Sequence, residues 1–169
     1  MKPGTGVWIA VLAALLATGA LAVKASAITI STVTITFPLT ALNGTDVTAT
    51  TSGSTWQADG EGLLAPWHIN VTSTDFTNAD SKAIAVSNFE IRLLDSSIVV
   101  VTRPPSPKPT STQTSFTSLS GTDLRIATAT AIGGDNIYDL TPDFRLTVPA
   151  ATYSGNYSAT VTITILAGP

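Results

Sequence analysis

The chain has no cysteine, one histidine and one methionine in 169 residues. Without cysteine there is no disulfide framework. One histidine and no thiol cannot build an ordinary structural zinc site. Charged residues make up only 11% and aromatic ones 7%. The formal charge is −3 and no basic cluster is present, which argues against nucleic acid as a partner. A domain of this length buries enough apolar surface to fold without disulfides, so the missing cysteines remain compatible with export. What fills the chain instead is Thr, Ser, Ile, Val and Ala. That mix favours strands and turns over helices.

Residues 1–27 read as a secretory signal peptide. Lys2 supplies a positive start, Val7 to Val23 is an apolar run of 17 residues, and Ala25-Ser26-Ala27 is a small-x-small cleavage signal. The alternative is an uncleaved anchor, but the run is at the short edge for spanning a bilayer. Cleavage before Ile28 is the expectation, and membrane contact is then confined to the leader. Loss of Lys2 and Lys24 leaves six basic against eleven acidic residues, a net −5. That suits a soluble exported protein and gives no reason to expect binding to anionic lipid.

Residues 28–169 read as a single domain. The stretch around Trp67 organises it. Trp67, Ile69 and Val71 alternate with His68, Asn70 and Thr72, the period of a strand with one buried face. Ahead of it, Ile28 to Phe37 reads as a strand with a bulge near Ser31-Thr32 that ends at Pro38. Thr45 to Thr51 and Thr55 to Ala58 are further strands between turns at Asn43-Gly44, Ser52-Gly53-Ser54 and Asp59-Gly60-Glu61-Gly62.

Behind it, Phe76 to Ala83 reads as a loop or one helical turn. Ile84 to Leu94 reads as a strand with Ala85, Ser87, Phe89, Ile91 and Leu93 inward and Glu90 and Arg92 in water. Ile98 to Val101 reads as a strand buried on both faces or under a loop. Arg103 to Gly121 reads as an exposed loop, because four prolines in six residues remove ladder donors. Leu124 to Ala131 and Phe144 to Val148 are strands, with Gly133-Gly134-Asp135-Asn136 a turn and Ile137 to Asp143 a connection. Tyr157 to Ile165 is the clearest alternating strand. Short strands at short spacing predict an all-β fold, an antiparallel β-sandwich of the Ig-like or Greek-key type.

No constellation for chemistry stands out, and a non-catalytic protein is the expectation. A Ser-His-Asp site would need His68 with a partner such as Asp75, but a lone strand histidine is usually a surface or packing residue. Asp135, Asn136, Asp139 and Asp143 cluster near a glycine pair, yet lack the spacing and closing glutamate of a calcium loop. No cofactor is called for. Asn43, Asn70 and Asn156 open glycosylation sequons, and the strand position of Asn70 argues against its use.

Two stretches resemble the WxL domain of surface proteins of Gram-positive bacteria. Trp67-His68-Ile69-Asn70-Val71 with Asp75-Phe76 is similar to that family's first Trp-x-aliphatic motif. Phe144 to Ala150 and Tyr153 to Pro169 are similar to its C-terminal hairpin, with the second tryptophan replaced at Ile163 and its aliphatic partner at Ile165. The resemblance covers most of 40–169. It implies a β-sandwich attached non-covalently to cell-wall peptidoglycan or to partner surface proteins, with Trp67, Ile69, Ile163 and Ile165 as the motif residues. Trp67 is expected to be a core anchor in preference to an exposed platform. The alternative function is a structural subunit of an extracellular filament, pilus or surface layer, assembling by strand pairing along 28–37 or 157–166.

Overall fold

The computed structural model describes residues 29–30, 35–37, 42–53, 55–62, 65–102, 107–131 and 135–168. The expected leader, the start of the proline-rich stretch and the Gly133-Gly134 pair lie outside them. Fourteen strands are described: β1 (Thr29–Ile30), β2 (Val47–Ser52), β3 (Trp56–Asp59), β4 (Trp67–Ser73), β5 (Phe76–Thr77), β6 (Ala83–Ile84), β7 (Phe89–Arg92), β8 (Ile98–Val100), β9 (Thr110–Ser111), β10 (Thr117–Ser118), β11 (Leu124–Ala129), β12 (Ile137–Leu140), β13 (Asp143–Val148) and β14 (Val161–Ala167). They form sheet A in the order β1-β3-β12-β8, sheet B in the order β10-β7-β13-β2, sheet C in the order β14-β4-β11-β9, and a small β5-β6 hairpin. Every pairing is antiparallel. The fold is an all-β sandwich.

Sheets A and B are two halves of one bent surface. β2 pairs with β13 from Val47↔Val148 to Ser52↔Asp143, and the same two chain segments pair again as β3 and β12 from Trp56↔Leu140 to Asp59↔Ile137. Between the two ladders the register shifts by one residue, with Gly53 against Pro142 and Thr55 against Thr141, the kind of irregularity that turns strands from one sheet into another. β7 and β8 make the same crossing on the other side of β13 and β12, with a 3-10 turn over Asp95–Ser97. The backbone N–H of Gly53 donates to the Pro142 carbonyl at 2.7 Å, which holds the corner shut.

The core is built on aromatic contacts that join the sheets. Trp67 of sheet C lies 6.0 Å from Tyr138 of sheet A, and Trp56 of sheet A lies 5.8 Å from Phe144 of sheet B. Phe144 stacks on Phe89 at 5.5 Å, and Phe89 takes the Phe76 ring edge-on at 5.1 Å. All of these except Phe76 are essentially inaccessible, and Phe76 is buried. Offset and edge-on ring pairs each contribute about 0.5–1.5 kcal/mol beyond area burial.

Several segments differ from the sequence reading. Phe76 to Ala83 is the β5-β6 hairpin, closed by Asn78, whose Oδ1 accepts from the N–H groups of Asp80 and Lys82. The inward strand starts only at Phe89. Val86–Asn88 is a 3-10 turn, so Ala85 and Ser87 are exposed and not inward. β8 buries Ile98 alone, while Val99 and Val101 face solvent, so it is not buried on both faces. Ile137 to Leu140 is strand β12 and not a connection, with Tyr138 and Leu140 fully buried.

The 103–121 stretch is not simply an exposed loop either. Thr110–Ser111 joins sheet C, Thr117–Ser118 joins sheet B, and Leu119 is buried. Pro107 and Pro109 precede β9 and take no place in its ladder. Glu90 and Arg92 do face outward, but each is paired to β13. Arg145 donates to Glu90 at 2.7 Å and Arg92 to Asp143 at 2.7 Å. The Phe116 ring lies under both guanidinium groups, at 4.5 Å and 4.3 Å. The hydrogen bond to Glu90 raises the Arg145 pKa above its ordinary value.

The corner gives a direct test. A Cβ on Gly53 would sit 2.8 Å from the Phe144 ring and 2.8 Å from the Pro142 carbonyl. Backbone and a buried ring cannot both retreat. Gly53→Ala is therefore expected to destabilise the domain by about 1–3 kcal/mol, read as a lower urea midpoint with an unchanged slope.

Candidate docking groove

The four motif residues come together, on the inner face. β4 pairs with β14 so that Ile69 opposes Ile165 and Val71 opposes Ile163, with Trp67 opposite Ala167. Trp67 and Ile69 are fully buried, and Ile163 and Ile165 are half-buried against the same core. The reason lies in the position of β4. It has a partner on each edge, β14 and β11, and the core beneath it. Trp67 is a core anchor, and no face of it is open to a sugar.

The alternate side chains of β4 are covered as well. His68 is 7% exposed, and its Nδ1 lies 3.1 Å from the Gly168 carbonyl. Asp75 points elsewhere, accepting from the Val86 N–H at 2.8 Å. The two do not meet as a catalytic pair. Asn70 is 8% exposed and donates to Asp123 at 3.3 Å. Its burial in the middle of sheet C closes that sequon in the folded chain. Asn43 and Asn156 are exposed.

The acidic cluster is dispersed. Asn136 is fully buried, and its Oδ1 accepts from the Ile137 N–H at 2.8 Å and from the hydroxyl of Thr102. Asp135 accepts from the Gly62 N–H at 2.6 Å, Asp139 pairs with Gln57, and Asp143 takes Arg92 and Ser52. Among the described residues, no group of three or more His, Asp or Glu side chains is placed to hold a metal ion. The four side chains accept from different donors and do not converge on one point, which is not the arrangement of a calcium loop.

The feature that could bind something is a groove at the open side of the sandwich. β14 is the edge of sheet C and β2 is the edge of sheet B. Between them run two adjoining cavities of about 510 and 570 Å³, which share Phe37, Leu146 and Tyr157 as walls. Leu42 and Tyr153 stand on the rim, 40% and 62% exposed. The lining is mostly apolar.

Local structure explains the shape. Tyr157 Oη donates to the Tyr153 carbonyl at 3.0 Å across a turn at Gly155, whose φ of 148° suits glycine. Ser158 bridges to Thr77 of the β5-β6 hairpin, and the regular ladder with β4 begins at Val161. Lys82 lies 4.6 Å over the Tyr153 ring.

The sequence reading did not single out Phe37, Leu42, Tyr153 or Tyr157. The available signal was the pair of tyrosines bracketing Ser154-Gly155-Asn156.

No protein-family model matches this chain. No curated protein matches it either. Among solved structures, a family 123 glycoside hydrolase from Clostridium perfringens overlaps at a TM-score of 0.39 and 13% identity. The overlap covers 72% of this chain and 18% of that one. At that score it assigns neither fold nor activity.

Burial of the motif predicts how it responds to truncation. Trp67→Ala removes the ring that spans sheets C and A, and is expected to cost about 3–5 kcal/mol. Urea unfolding followed by circular dichroism measures it. A loss below about 1 kcal/mol would be incompatible with a core anchor.

Proposed function

We propose that this chain is a secreted, non-catalytic cell-surface protein that works by attachment, holding protein partners by strand addition along β14. One observation carries the reading. Among the described residues, Val161–Ala167 pairs on one side only, in unbroken register from Val161↔Ser73 to Ala167↔Trp67. It contains no charge and no proline. Natural edge strands are usually blunted by lysine, proline or a bulge, and an edge without them is a template for another strand. Main-chain hydrogen bonds then supply affinity, and adjoining pockets supply specificity.

The resemblance to WxL domains supports the cell-surface setting, since Trp67-x-Ile69 and Ile163-x-Ile165 lie side by side on neighbouring strands. In this reading wall association runs through surface proteins and not through sugar stacked on Trp67. Peptidoglycan is the ligand that the resemblance implies, and one experiment separates the two. The mature chain, residues 28–169, is sedimented with cell walls of the producing organism before and after the wall proteins are stripped. Pelleting is expected with untreated walls and is lost on stripping. Thr162→Lys, on the exposed side of β14, is expected to weaken pelleting about tenfold while the fold is retained. Equal pelleting with stripped walls would assign the ligand to peptidoglycan. No pelleting with either would overturn attachment altogether.

A further inference from the structure

We infer that Asn43 is a site of spontaneous covalent modification, where the side chain cyclises onto the Gly44 nitrogen and opens to aspartate and isoaspartate. This chemistry is independent of attachment through β14 and belongs to the exposed turn ahead of β2.

Asn43 is the one asparagine of the chain that precedes a glycine. Asn70, Asn78, Asn88, Asn136 and Asn156 are each followed by a residue whose Cβ crowds the nitrogen that would attack. Asn43, Gly44 and Thr45 are all exposed. Gly44 has a φ of 81°, and nothing lies within 4 Å of where a Cβ would stand. Among the described residues, neither the Gly44 N–H nor the Asn43 Nδ2 has a hydrogen-bond partner. The attacking atom and the leaving group are both left to water. The held atom is the oxygen. Asn43 Oδ1 accepts from the Thr45 N–H at 3.1 Å and from the Thr45 hydroxyl at 2.7 Å. Those two donors face the negative charge that gathers on this oxygen as the nitrogen adds to Cγ.

Asp59-Gly60 shows what closes the same route elsewhere. Asp59 makes a similar turn, accepting from the Glu61 N–H at 3.0 Å. There the glycine is buried, and its N–H donates to the Asn136 carbonyl at 2.9 Å. That nitrogen is tied into the fold, whereas the Gly44 nitrogen is not.

The step balances without oxidant, reductant or cofactor. Base takes the Gly44 amide proton, the nitrogen bonds to Cγ, and Nδ2 leaves as ammonia. Water then opens the ring at one of its two carbonyls. Opening at the side-chain carbonyl gives aspartate. Opening at the main-chain carbonyl gives isoaspartate, with an extra carbon in the backbone. Either product places a new carboxylate next to Leu42, on the rim of the groove. A charge is costly to bury against apolar walls, so the rim becomes more polar as the chain ages.

The mature chain is aged at mildly alkaline pH, checked by circular dichroism and mapped by peptide mass spectrometry. The Asn43 peptide is expected to pass from amide to acid, to take up the isotope from heavy-oxygen water and to label with an isoaspartyl methyltransferase, faster as pH rises. Asn156, exposed but followed by Tyr157, is expected to keep its amide. Gly44→Ala, whose added methyl meets no neighbour, is expected to slow the conversion about tenfold. Thr45→Val is expected to slow it several-fold. An Asn43 peptide that keeps its amide, or converts no faster than Asn156, would overturn the assignment, as would an undiminished rate in Gly44→Ala. An undiminished rate in Thr45→Val would overturn the part given to the hydroxyl.

Discussion

The hydrogen bond from Gly53 to Pro142, at 2.7 Å, marks the constraint on which the sandwich depends. Two long strand pairs must leave one sheet and enter the next at the same level, and the one-residue register shift between Ser52↔Asp143 and Trp56↔Leu140 lets them do so. Only glycine allows the chain to pass this close to the Phe144 ring. Because the corner is tight, Phe144 on one side of it touches Trp56 on the other, and the ring contacts continue to Phe89 and Phe76. Bending the sheet therefore creates the core as well as the outline. It also sets sheet C apart, with β14 and β2 as edges that do not meet.

An open side follows from that arrangement. A closed barrel has no edges, whereas a sandwich of separate sheets must cover or blunt them. Here the N-terminal arm covers part of the gap, through β1 against β3 and Phe37 against Phe89. The strands it covers are built into the core. Trp67, Ile69 and Val71 secure the fold from the inside, and under the proposed strand addition a partner would take the edge of β14, so stability and binding would fall to different parts of the chain.

Much of this was legible in the sequence. The alternation at 67–72 marks β4, and its inward set is as expected. The Thr-rich alternation near the C terminus marks β14, and the fold class follows from the number of short strands and turns. The burial of His68 and Asn70 was not legible, because period-2 alternation reports one buried face and a central strand can have two. Nor was the short β9–β10 path through the proline-rich stretch, since its strands pair with distant residues on two sheets. Residues 137–140 read as a connection because Tyr138 and Leu140 alternate over too short a span. The groove was not legible because its walls, Phe37, Leu146 and Tyr157, combine residues from opposite ends of the chain, of which only Leu146 belongs to a strand.

Strand addition, as proposed, would also account for how little chemistry the sequence displays. An enzyme must place specific side chains at a reacting atom, and a metal site must gather ligands; both leave a pattern of residue types. A binding mode built on main-chain hydrogen bonds leaves a different signature, an edge strand that lacks the usual protection. Val161-Thr162-Ile163-Thr164-Ile165-Leu166-Ala167 has that signature. Its inner residues are committed to the core beside Ile69 and Val71, so the strand cannot slip in register without exposing them. The inward half of the motif therefore holds β14 in place, and a straight, fixed edge is what a second strand needs in order to pair along its length.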